Sequence, residues 1–411
     1  MRSDGYIKLK SVLLPQTLAP GLPFTLFSAN IPLELVSMSR VKHPLVLMGA
    51  LLLCLMIAAC VNFTPRGNPD YQAAKPHHRP EGFVNRYAEH GEKEGFLRWQ
   101  WERLRDGLPK PPAGPILGVA PDLSLIHSAE TRTRVTWVGH ATMLLQVDGV
   151  NVLTDPHWGP RASPVGFAGP KRHQAPGVPF EQLPPIHVVV ISHNHFDHLD
   201  AKTVQALMDR HPGLLFLVPL GVQHWFAREV RGAVIEGTKR NVIALDWDER
   251  HTVPGRTQPL EFHFLAVQHW SARFVGDRNQ TLWGSWAVLH PTFRFWFSGD
   301  LGYSPDTQDI GRRIGPIDLA AIAIGAYEPR WFMKESHLNP EEALQVMKDV
   351  QAQAALGVHW GTFEGLSDES LDQPPRELEL AKRASGSAAD FFVLRHGQTW
   401  QFPQAASAVR P

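Results

Sequence analysis

The sequence predicts an α/β layered fold, and three observations carry that prediction. Strand-like and helix-like stretches alternate along one chain, which favours stacked layers over a helical bundle or a pure sandwich of sheets. The run His187–Ser192 (HVVVIS) is continuously apolar and β-branched, as in a strand buried on both faces. Hydrophobic residues make up 43% of the 411 and charged residues 19%, enough for a sizeable core and too apolar for wholesale disorder.

Taken in order, residues 86–108 read as an amphipathic helix with Phe96, Trp99 and Leu104 among charges, and the four prolines between Pro109 and Pro115 break it. Val135–Val138 and Thr142–Val147 are short apolar strands. Asp148-Gly149 is a hairpin turn leading into Val150–Thr154. After the buried strand at 187–192, Asp200 can cap a helix that runs through Arg210, with Val204, Leu207 and Met208 inward. Further strands are expected near 215–218, 242–246, 260–268, 282–289, 293–298 and 318–324. Glu341–Val350 reads as a helix with Pro340 in its first turn, and strands return near 355–359 and 391–395. The main folded domain is expected over 116–403, with 404–411 as a tail.

The first 115 residues read differently. Both cysteines of the chain, Cys54 and Cys60, lie in the apolar stretch Leu45–Cys60, which is shorter than the roughly 20 residues a spanning helix needs. Arg40 to His43 precede it as a basic segment, and small residues end it, the parts of a secretory signal. Ile57-Ala58-Ala59-Cys60 resembles a bacterial lipobox, so Cys60 is the candidate lipidation site. The alternatives are a short anchor or an ordinary signal. Residues 38–60 are the expected signal peptide, Met38 the expected start, and 1–37 a mis-annotated extension. Residues 61–115 are expected as linker, arm and helix, with 61–85 rich in Pro and Gly. The expected location is therefore a membrane-anchored lipoprotein of a bacterial cell envelope, facing the periplasm. An unprocessed leader would leave the protein cytoplasmic or peripheral to a membrane.

Lys+Arg and Asp+Glu each number 40, so no basic surplus points to nucleic acid. With 2 Cys and 21 His, any metal must be held by imidazole and carboxylate. The segment Ile191-Ser192-His193-Asn194-His195-Phe196-Asp197-His198 places four metal-capable side chains within six positions, directly after a buried strand. In extended backbone His193 and His195 point the same way, and a turn would bring Asp197 and His198 to a neighbouring point. Further ligands should sit at strand ends, where His269, Asp300 and His359 are found. Burying so many titratable groups together is costly unless a cation compensates.

HxHxDH after an apolar strand, followed by separate His, Asp and His, resembles the metallo-β-lactamase superfamily, which implies an αββα sandwich with a dinuclear metal site. Several segments are similar to the N-acylphosphatidylethanolamine-hydrolysing phospholipase D family: TWVGHAT at 136–142, LTDP at 153–156, GPKR at 169–172, LWGSW at 282–286, IGAYEPRWFMK at 324–334 and HWGT at 359–362. The resemblance spans roughly residues 77–397 and makes 116–403 a hydrolase domain.

The resemblance implies that His193, His195 and His269 hold one Zn2+, that Asp197, His198 and His359 hold the other, and that Asp300 bridges them. Iron or manganese stays open, since no thiolate favours zinc. Two such cations would make a bridging hydroxide near neutral pH and polarise a phosphoryl oxygen. Attack on phosphorus would release N-acylethanolamine and leave phosphatidic acid. Candidate catalytic residues are Asp197, itself a ligand, and His337, which could protonate the leaving oxygen. Phe196 and His337 match substrate-binding positions, although Phe196 stands where the family usually has Tyr. The partner implied is a membrane phospholipid, with membrane association, and a homodimer is expected by the same resemblance. His140 and Asp155 are expected to support ligands rather than bind metal. Trp283, Trp286, Trp296 and Trp331 are expected in the core rather than in a lipid channel, Lys171, Arg172 and Arg330 as solvated charge, and His77-His78 as linker. Competing functions are a lactonase or nuclease-like phosphodiesterase on the same scaffold, and a lipid-binding protein without turnover.

Overall fold

The computed structural model describes residues 67–87, 95–114, 116, 118–274 and 276–403. The expected start at Met38, the signal sequence, Cys60 and the 404–411 tail lie outside the described residues. Among the described residues no helix is long and apolar enough to cross a membrane.

Six strands are laid down first: β1 (Arg134–Gly139), β2 (Thr142–Val147), β3 (Val150–Thr154), β4 (Val188–Val190), β5 (Leu215–Pro219) and β6 (Val242–Leu245). Seven more build a second sheet: β7 (Arg250–Val253), β8 (Leu260–Leu265), β9 (Ser285–His290), β10 (Phe293–Phe297), β11 (Ile317–Ala323), β12 (Ala352–Val358) and β13 (Asp390–Val393). The last strand, β14 (Thr399–Gln401), returns to the first sheet beside β1. Each sheet therefore has seven strands in chain order, apart from that return. Each is antiparallel over its first three pairings and parallel over its last three.

Side-chain alternation assigns the faces. Met143 and Leu145 of β2 and Val188 and Val190 of β4 share one apolar cluster with Phe262, Phe264 and Trp286 of the second sheet. The residues between them, Leu144 and Val189, turn outward to join Val204 and Leu207 of α2 (Ala201–Arg210) and Val222 and Phe226 of α3 (Val222–Glu229). Helix α1 (Phe96–Asp106) precedes both sheets. Behind the second sheet pack α5 (Pro340–Asp349), α4 (Asp306–Ile314) beside it, and α6 (Gln373–Ala384). The layers run helix, sheet, sheet, helix, the expected αββα sandwich.

Several local expectations hold. Asp200 caps α2, its carboxylate accepting from the Thr203 backbone N–H. Asn339 and Glu342 form a reciprocal capping box ahead of α5, with Pro340 in the first turn. Other stretches differ. Of the expected helix over 86–108, Phe96–Asp106 is helical among the described residues, with Gly95 at φ 90° as its N-cap. Residues 67–87, expected within the arm, pack on the domain: His78–Arg79 pairs with Gly82–Phe83, and Asn68, His78, Phe83 and Asn85 are buried.

What this architecture supplies is one rim where strands of both sheets end together. His193 follows β4, His269 follows β8, Asp300 follows β10 and His359 follows β12. The chain turns sharply there, and His140, Asp155 and His359 all adopt positive φ. Gly299 (φ 58°) allows a close approach, because a Cβ there would lie 2.7 Å from Cβ of Ser192.

Candidate metal centre

All seven sequence-derived ligands meet at this rim. Around His195, the imidazole nitrogens of His193 (Nε2) and His269 (Nε2) lie 2.8 and 3.4 Å from His195 Nδ1. The second set is as compact: His198 Nε2 is 3.1 Å from His359 Nε2, and Asp197 Oδ2 is 3.3 Å from each. Asp300 stands between them. Its Oδ1 is 3.1 Å from His359 Nε2, and its Oδ2 is 3.1 Å from His198 Nε2 and 3.8 Å from His193 and His269 Nε2. Ligand atoms about 2.0–2.1 Å from a tetrahedral ion would be about 3.3 Å apart, so the spacing fits.

Tautomers fit as well. His198 Nδ1 lies 2.7 Å from the Asp155 carboxylate, and His269 Nδ1 lies 3.0 Å from the Ser336 carbonyl. Both acceptors require N–H at Nδ1, so each Nε2 offers a lone pair inward. The Ser192 hydroxyl donates to Asp155 and therefore accepts from His193 Nδ1 at 2.9 Å, with the same result. His195 alone presents Nδ1. A ring of lone pairs facing one another is repulsive until a cation lies among them, which is what these residues fit.

Charge follows the same logic. Burial pushes the Asp197 and Asp300 carboxyls up, yet His198 and the other imidazoles hold both well below the usual carboxylate range. In return, against the cost of burial, Asp300 and Asp197 hold His198 well above the ordinary imidazole value and His359 at about 9. Burial and the neighbouring rings drive His193 well below it. Without an ion, the carboxylates here are neutralised by protons.

The two expected supports are in place. His140 Nε2 lies 2.9 Å from Asp197 Oδ2, and Asp155 fixes His198. His337 stands at the edge, its Nδ1 3.9 Å from Asp300 Oδ2 and its side chain 13% exposed. Arg330, expected as solvated charge, donates to the His337 carbonyl (2.9 Å) and pairs with Glu342. Arg172 departs further: it is largely buried, donating to the carbonyls of His157 and Gly159, and burial pushes its pKa down to about 10. Trp283, Trp286 and Trp296 are buried core, whereas Trp331 is 43% exposed. Phe196 lines a neighbouring cavity of about 300 Å³ whose walls include none of the seven ligands.

Arg273 carries no signal in the sequence and clamps the ligand loop. Its Nη1 donates to the carbonyls of Asn194 and Leu199 (2.8 Å each), spanning the turn, and its guanidinium lies 4.1 Å from the Phe196 ring centre.

Comparison with known proteins assigns the class. Residues 150–360 match the family described as the beta-lactamase superfamily domain. In solved structures, the metallo hydrolase Igni18 of Ignicoccus hospitalis aligns with a TM-score of 0.50 at 19% identity, covering 67% of this chain and all of that one. An isothiocyanate hydrolase from Delia radicum gut bacteria aligns with a TM-score of 0.50 at 21% identity, covering 66% and 99%. Fold, rim and match make this chain a metal-dependent hydrolase of the metallo-β-lactamase superfamily. Among curated relatives, N-acyl-phosphatidylethanolamine-hydrolyzing phospholipase D 1 of Caenorhabditis elegans is 40% identical over 278 residues, 67% of this chain and 77% of the relative. The mitochondrial protein of the same description from Saccharomyces cerevisiae is 32% identical over 267 residues, 64% of this chain and 55% of the relative. The chain belongs to the N-acylphosphatidylethanolamine-hydrolysing phospholipase D family.

Proposed function

We propose that this protein is a phosphodiesterase that holds two zinc ions and hydrolyses N-acylphosphatidylethanolamine-type phospholipids to N-acylethanolamine and phosphatidic acid. The observation that carries the reading is Asp300, whose carboxylate lies 3.1 Å from His198 and His359 of one ligand set and 3.8 Å from His193 and His269 of the other. His193, His195 and His269 would hold one ion, and Asp197, His198 and His359 the other, with Asp300 shared. Bound there, the ions would supply Lewis acidity toward a phosphoryl oxygen and a hydroxide nucleophile near neutral pH. The chain's own residues do the rest. Asp155, Ser192 and Ser336 keep the imidazole lone pairs pointing inward. His140 holds the Asp197 carboxylate in place. His337, whose Nδ1 lies 3.9 Å from Asp300 Oδ2, would pass a proton to the departing N-acylethanolamine oxygen.

The leader reading stands beside this one: Cys60 carries lipid and tethers the enzyme to the cell-envelope membrane where its substrate resides. Mass spectrometry of the mature N-terminus tests that part, and a peptide from residues 1–37 in the mature protein would refute it. The reaction is tested by giving zinc-loaded protein N-acylated, plain and lyso phosphatidylethanolamine side by side. Release of N-acylethanolamine from the N-acylated lipid, abolished by a chelator, is expected. Turnover of a lactone with none of these lipids would defeat the assignment.

A further inference from the structure

His269 is unusual among the ligands in how its backbone is held. Beyond β8, its N–H and carbonyl pair with one side chain, Asn85. Asn85 Oδ1 accepts from the His269 N–H at 3.0 Å, and its Nδ2 donates to the His269 carbonyl at 2.9 Å. A carboxamide offers one donor and one acceptor side by side, as a neighbouring strand would. The Trp283 indole N–H, 3.1 Å from Asn85 Oδ1, fixes the carboxamide in turn, and Asn85 is 6% exposed.

Asn85 reaches this place because the segment before it is tied down at two points. Lys75, His77 and His78 all converge on the buried Asp246 carboxylate. His78 Nδ1 accepts from the Gln72 N–H at 3.2 Å, so its Nε2 carries the proton given to Asp246 at 2.8 Å. Such a cluster has the residue types of a metal site, but Asp246 is already satisfied by donors, one of them an ammonium. It is an anchor. Nearer Asn85, the Phe83 N–H donates to the Asn279 carbonyl at 2.8 Å, and Gly82 leaves room for it, since a Cβ there would lie 2.2 Å from that oxygen. The segment itself, residues 67–87, lies outside residues 150–360, the span of the family match.

We propose that residues 67–87 form a latch that places His269, with Asn85 as its positioning residue, and that the ion held by His193, His195 and His269 depends on it. The inference rests on the two-ion reading above. Removing the carboxamide leaves the His269 ring on Ser336 but frees its backbone, so the loss should fall on that ion and spare the other.

The test is a cobalt titration of the metal-free full chain, followed by absorbance, in the wild type and in the Asn85→Ala, Asn85→Asp and His269→Ala variants. His269→Ala identifies the step that belongs to this half of the site. Asn85→Ala should weaken that same step by roughly 10–100-fold, the usual effect of losing a ligand's supporting partner, and leave the other unchanged. Asn85→Asp, which still accepts from the His269 N–H, should recover part of it. Asp246→Asn, remote from His269, should weaken the same step less. Unchanged titrations in folded Asn85→Ala, or equal weakening of both steps, would overturn the latch alone. A wild-type chain taking up fewer than two ions would overturn the two-ion reading and the latch with it.

Discussion

Among the described residues, histidine and aspartate gather around Asp300 and around Asp246, and of these two places only the first has the makings of a metal site. Around Asp246, two imidazoles and an ammonium all donate to a single carboxylate, and the cluster is complete as it stands. Around Asp300, imidazole lone pairs and carboxylate oxygens face one another, while their N–H groups are turned outward to Asp155, Ser192 and Ser336. Residue type and spacing are alike in the two places. The direction of the protons separates them, and it is set by the outer partners rather than by the cluster itself.

That contrast can be broken most severely at Asp300. Asp300→Ala removes the one group common to both ligand sets, and phospholipid hydrolysis should fall by at least about a thousandfold, the scale of losing electrostatic stabilisation of a transition state. Residual activity within tenfold of wild type, measured with saturating zinc, would show that the sets do not share it.

A smaller change sharpens the point about protons. Asp155→Asn keeps the size of the side chain but can present its amide toward His198 Nδ1, which would turn the tautomer. Zinc affinity should drop roughly 10–100-fold, read by competition with a chromophoric chelator. Equal affinity in the two proteins would mean the outer carboxylate is not what aims His198.

The pH dependence follows from His359. In the metal-free protein its pKa, raised above the usual 6.5 to about 9, makes it an imidazolium at neutral pH. An ion can bind only after that proton leaves, so uptake should release protons and affinity should fall as pH drops below 9, by up to about tenfold per unit for each proton displaced. The same shift makes the imidazolium–carboxylate contact a stabilising one below about pH 6.5, lost as pH rises through 9. Calorimetry in buffers of differing protonation enthalpy measures the release. No buffer dependence at pH 7 would contradict it.

Least dramatic is the anchor. Asp246→Asn should lower unfolding stability by about 1–3 kcal/mol, because buried donors lose a charged acceptor. At saturating zinc, hydrolysis should stay near the wild-type rate. A large loss of rate under those conditions would make the Asp246 cluster part of the chemistry.

Much of the fold was legible because period-two patterning and caps act locally. The strand at 188–190, within the expected 187–192, and the helices at 201–210 and 340–349 follow from their own residues. The convergence of the seven candidate ligands was legible because His193 to His198 are contiguous and the rest end strands. Contacts made across the chain were not. Asn85 meets His269 from 184 positions away, and nothing in an asparagine before an arginine announces it. Arg273 looks like surface charge until its two carbonyl partners are seen. The arm misled for the same reason: proline and glycine suggest a tether, yet Asp246, 168 positions beyond His78, ties it down.

The most direct test is the anomalous scattering of a zinc-loaded crystal. Two zinc peaks roughly 3.5–4 Å apart, one among His193, His195 and His269 and one among Asp197, His198 and His359, are predicted. A single peak at that rim, or a peak at His77, His78 and Asp246 instead, would contradict the account.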